Sequence, residues 1–72
     1  MPRWYVITPE YEKGHFEVGC DVVEVETPTR REAKIVGVRE LRKQGSRWLR
    51  DQEGSPFTGL RVEPFEEDAD AH

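Results

Sequence analysis

The chain has 72 residues, 35% hydrophobic and 36% charged, which suffices for one small domain with a lean core and leaves no room for a second within these residues. Its formal net charge is −4, and its single cysteine, Cys20, excludes an intrachain disulfide and fits a reducing compartment. The longest apolar runs, at 4–7 and 35–38 with Gly37 counted, are too short for a signal peptide or a membrane span, so a soluble, cytoplasmic protein that does not engage a membrane is expected.

A domain of this size buries only about 60% of its unfolded surface, and oligomerisation is one ordinary remedy, so a homodimer is among the expected states. The modest net charge conceals a strong segregation. Residues 30–50 hold eight Lys/Arg against Glu32 and Glu40, a net of +6, and the remainder carries −10.

In chain order, residues 3–8 (RWYVIT) predict a strand, with aromatic and β-branched side chains and Pro9 as its stop. Glu12, Lys13 and Gly14 predict a turn. Phe16, Val18 and Cys20 then alternate, as do Val23 and Val25, but the two series are out of phase by one residue. This predicts either a bulge near 19–22 or two short strands meeting there. Val23 and Val25 face the helix and Glu24 and Glu26 face solvent, with residues 15–26 pairing back on 3–8.

Residues 28–44 predict one amphipathic helix. Thr29 and Glu32 have the spacing of a capping box, Thr27 with Pro28 is a competing start, and Gly45 sits where a left-handed cap costs least. Ala33, Gly37 and Leu41, flanked by Val36 and Val38, form its apolar stripe. Gly37 costs roughly 1 kcal/mol of helix propensity, which predicts a close approach of the helix backbone to the sheet. Residues 45–59 form a long connection that could hold a further helical turn at 46–52, with Trp48, Leu49 and Phe57 expected against the core. Residues 60–65 predict a last strand in which Pro64 marks an edge or an end. Residues 66–72 (EEDADAH) predict a disordered acidic tail. The expected architecture is α+β: a two-layer β-β-α-β domain over 1–65, with one amphipathic helix on a three-stranded, mainly antiparallel sheet.

No constellation for chemistry emerges. A metal site requires converging ligands, and the candidates reduce to His15, Cys20 and His72. Cys20, Ser46 and Ser55 lack an oriented base and an oxyanion signature, and the junction at 26–29 has no glycine to cradle phosphate. No catalytic residue, cofactor or metal is therefore expected.

The stretch from Val23 to Lys34 (VEVETPTRREAK) resembles a pattern of small bacteriophage proteins, including those of actinobacteriophages, in which a Val-x-Val strand leads into a Ser/Thr-x-x-Glu-Ala helix start. The resemblance spans at most residues 16–44 and assigns no functional residue. It implies a small, non-enzymatic accessory protein that binds a host or phage component in the host cytoplasm.

Two binding readings follow. In the first, the chain is a protein-interaction module that uses the exposed helix face (Arg31, Ile35, Arg39 and Arg42) or a sheet edge. In the alternative, it binds nucleic acid through the basic segment, with Arg30, Lys34, Lys43, Arg47 and Arg50 on phosphates and Trp48 stacked on a base.

Overall fold

In the computed structural model, which describes residues 1–65, the chain runs through β1 (Arg3–Ile7), β2 (Tyr11–Gly14), β3 (Glu17–Gly19), β4 (Val22–Glu26), α1 (Arg30–Lys43), α2 (Arg47–Arg50), a 3-10 turn (Pro56–Thr58) and β5 (Arg61–Pro64). The stretch 66–72, expected to be an acidic tail, lies outside the described residues, as does His72. The architecture is α+β. A three-stranded antiparallel sheet in the order β4-β1-β5 carries α1 on one face.

The first strand to occur in the sequence is the centre of the sheet. Trp4 stands opposite Val25 on β4 and Pro64 on β5, and Val6 stands opposite Val23 and Val62. Alternation then divides the residues between two faces. Val6, Val23, Val25 and Val62 join Ala33, Val38, Leu41, Leu49 and Leu60 in one buried cluster, while Glu24 and Glu26 stay exposed as expected. Burial of this cluster is the main source of stability in so small a fold.

Both ends of α1 are set by local chemistry. The Thr29 hydroxyl accepts from the Glu32 N–H at 3.2 Å, so the helix starts there and not at the competing Thr27. At the other end Gly45 adopts φ 76°, its N–H donates to the Arg42 carbonyl, and the Ser46 N–H donates to the Leu41 carbonyl. These two bonds make a Schellman cap. The predicted close approach at Gly37 is present: a Cβ there would lie 2.6 Å from both methyl carbons of Val6.

Residues 11–19 depart from the sequence expectation. They do not extend the pairing with β1; β2 and β3 form a separate two-stranded hairpin. Glu12, Lys13 and Gly14 are strand, not turn. The turn lies at His15 and Phe16, with Phe16 at φ 63° and 96% exposed. Of the two alternatives for the phase slip, the two short strands are realised, as β3 and β4 separated by Cys20 and Asp21. The extra strands raise the count among the described residues to five. Phe57 is not a core anchor, being 39% exposed on the 3-10 turn, whereas Leu49 is buried and Trp48 is packed against the core.

Asp21 ties these pieces together. One carboxylate oxygen accepts from the Tyr11 and Ser46 hydroxyls, each at 2.7 Å, and the other pairs with Lys13 Nζ at 2.9 Å. Ser46 caps α2 by accepting from the Leu49 N–H, so one carboxylate fastens the hairpin to the α1–α2 junction. Burial pushes the Asp21 carboxyl up, but the hydrogen bonds from Ser46, Tyr11 and Lys13 outweigh it and hold it below its ordinary value. The ionised form is thus the one that the fold favours. Its stabilisation is complete above the carboxyl's unfolded value and disappears as pH falls through the lower folded one. Asp21→Asn is expected to cost about 1.5 kcal/mol near neutral pH. The gap between wild type and variant, followed by urea unfolding at a series of pH values, should narrow as the solution becomes acid.

Candidate functional site

The outward face of α1 is the most distinctive surface. Arg31, Ile35 and Arg39 recur every four residues, and Arg42 continues the same line, which runs about 16 Å along the helix. Ile35 is 48% exposed. The 3-10 turn packs beside α1, and Lys34 Nζ donates to the Phe57 carbonyl at 2.9 Å. Phe57 is thereby set next to Ile35, and Arg31, Lys34, Ile35 and Phe57 line one shallow groove. Its floor is apolar and its rim cationic. Arg31, Arg39 and Arg42 form no ion pair or side-chain hydrogen bond with the other described residues, so their charge faces solvent.

The residues of the nucleic-acid reading do not gather on one surface. Arg30 donates to the Val62 carbonyl and lies over the Trp4 ring at 5.4 Å, which makes it a strut between α1 and β5. Arg47 donates to the Lys13 carbonyl at 2.8 Å, bridging α2 to the hairpin. Lys43 pairs with Glu40 at 3.4 Å and Arg50 with Asp51 at 3.9 Å, both loosely and in solvent. The edge of the Trp48 ring abuts Gly59, where a Cβ would approach it to 2.7 Å, and the ring packs against the core. Lys34 belongs with Ile35 and Phe57 in the groove.

His15 and Cys20 line two different surface hollows, the first with Phe16 and Arg47, the second with Thr8 and Gly59. Among the described residues no three His, Cys, Asp or Glu side chains converge as metal ligands would, and no helix is long and apolar enough to cross a membrane. Compared with known protein families, with curated proteins and with solved structures, the chain matches none.

The sequence pointed to Ile35 through the helical wheel. It gave no sign that Phe57 would join it, because the two meet through an irregular segment with no periodicity to read.

Proposed function

We propose that the chain is a non-catalytic, cytoplasmic interaction module that binds another protein through the outward face of α1. The observation that carries this reading is the groove of Ile35 and Phe57 rimmed by Arg31 and Lys34. Two exposed apolar side chains within a cationic rim suit a partner that offers an apolar anchor flanked by carboxylates. Arg39 and Arg42 extend the cationic line and add electrostatic steering. From the resemblance of residues 16–44 to small bacteriophage proteins we extend the proposal to an accessory protein acting on a host or phage component.

The test is an affinity capture from bacterial lysate after nuclease treatment, run with wild type and Ile35→Glu at low and moderate salt. A discrete protein held by wild type at both salts, and retained at least about tenfold less by Ile35→Glu, is the expected outcome. Ile35 is exposed, so the variant should keep its fold, as circular dichroism would verify.

Nucleic-acid binding is the second reading, favoured by the guanidinium groups of Arg31, Arg39 and Arg42, which lie along one line and pair with no other described residue. Under that reading the captured material is nucleic acid and elutes steeply with salt. The double variant Arg39→Ala/Arg42→Ala then abolishes capture, while Ile35→Glu leaves it nearly unchanged.

A further inference from the structure

The two edges of the sheet are chemically unlike. Besides the strand register, the Phe65 N–H donates to the Arg3 carbonyl, so Arg3, Tyr5 and Ile7 exchange backbone hydrogen bonds with Phe65, Glu63 and Arg61. The backbone groups of Val62 and Pro64 therefore point away from the sheet. Pro64 has no N–H to offer, and Arg30 already occupies the Val62 carbonyl. The β5 edge is blocked.

The opposite edge is open. The Thr8 N–H donates to the Asp21 carbonyl and the Thr27 N–H to the Pro2 carbonyl, so Thr27, Val25 and Val23 bond inward to β1. The N–H and C=O groups of Val22, Glu24 and Glu26 point outward, and no backbone bond among the described residues takes them. Their side chains share the exposed sheet face, so a carboxylate stands beside two of the three outward positions. Above this edge runs the flank of α1 that carries Glu32, Val36 and Glu40 at four-residue spacing. Lys34, which holds the 3-10 turn leading into β5, lies about two-fifths of the way round the helix from Val36, on the other side. The same flank carries Lys43, which pairs with Glu40 at 3.4 Å, and Arg3 pairs with Glu26 at 3.5 Å on the sheet face; both pairs are loose and in solvent, so Glu24 and Glu32 leave the edge net acidic.

We infer that the β4 edge is a strand-addition site for an extended basic segment of another protein, one that alternates Lys or Arg with apolar residues. Its backbone completes the hydrogen-bonding row of Val22, Glu24 and Glu26. Its basic side chains lie on the sheet face opposite Glu24 and Glu26, and its apolar ones lie beneath the Val36 flank of α1. A second copy of this chain is the poorer occupant: the antiparallel register that pairs two β4 strands over their whole length sets Glu24 against its own counterpart, and like charges directly opposite are unfavourable. The surface is separate from the Ile35–Phe57 groove and of the opposite charge, so the two can fail independently.

The probe is an acetylated, amidated peptide of alternating lysine and valine, seven residues long, titrated into the labelled protein by NMR. Amide shifts centred on Val22, Glu24 and Glu26, with slowed exchange of those three N–H groups, are expected. Added antiparallel to β4, the strand turns the backbone groups of its lysines toward Val22, Glu24 and Glu26. N-methylation of the lysines should therefore weaken binding by more than about tenfold, whereas N-methylation of the valines should leave it nearly unchanged. Glu24→Lys, at an exposed position, should lose the peptide and keep the fold. Equal binding of a Glu/Val peptide, insensitivity to lysine N-methylation, shifts centred on Arg31 and Ile35, or dimerisation of the protein through β4 would each overturn the assignment. None of these results bears on capture by the α1 face, which is read through Ile35→Glu.

Discussion

Replacing Leu41 with alanine is expected to remove about 3 kcal/mol of stability, the largest loss from any single truncation in the fold. Leu41 is fully buried and, with Val6, is the bulkiest side chain so enclosed. It stands in the last turns of α1, beside the Schellman cap and above the sheet, where helix and β strands are fixed by different hydrogen-bond systems. Neither can collapse into the vacated space without losing its own bonds, so the transfer loss is joined by a residual cavity. A domain of this length has about 4–10 kcal/mol in total. The midpoint of thermal unfolding should therefore fall by roughly 15–20 °C. Thermal and urea denaturation followed by far-ultraviolet circular dichroism measure both quantities. A loss below about 1 kcal/mol would mean that α1 is not seated on the sheet as described.

One turn earlier on the same stripe, Gly37→Ala is expected to destabilise by about 2 kcal/mol, against a gain of nearly 1 kcal/mol from helix propensity. The sign is set by Val6. The added Cβ would lie 2.6 Å from each of its methyl carbons, and Val6 is fully buried on the central strand with a single stiff side-chain torsion. Val6 cannot turn aside, so the helix must lift, and every contact between the layers loosens with it. Val6→Ala removes the obstruction. In a double-mutant cycle measured by urea unfolding, the combined variant should be more stable than the sum of the two single losses predicts, by about 1–2 kcal/mol. Simple additivity, or a stabilising Gly37→Ala, would show that helix and sheet have room to spare at this crossing.

The same position shows what kind of information a sequence carries. Gly37 is costly in a helix, so its presence signalled a nearby backbone, and Val6 proved to be the neighbour. The limits of α1 were legible because Thr29, Glu32 and Gly45 act on residues within one turn of themselves. Val23 and Val25 were legible because α1 covers one face of β4 and leaves the other wet. Phe16 and Val18 were misread for the complementary reason. Alternation marks a strand, but it does not say whether anything covers the apolar side, and the β2–β3 hairpin leaves both side chains in solvent. Asp21 left no local mark at all, since Tyr11, Lys13 and Ser46 come to it from separate elements. In the candidate site, Ile35 followed from helical period alone. The companionship of Phe57 and the diversion of Arg30 and Arg47 into structural bonds depended on tertiary placement.

The position of β1 has a kinetic counterpart. As the central strand it is completed on one side by β4 and on the other by β5, where Trp4 meets Pro64, sixty positions further along. That second pairing demands closure of a loop nearly as long as the described chain, whose entropy must be lost before the contact gives anything back. The β1–β4 ribbon and α1 can assemble from nearer neighbours, but Val6 and Leu41 reach their final environment only when Val62 arrives. On a ribosome, β1 therefore waits for β5, and until then its β5-facing backbone groups remain exposed to other chains.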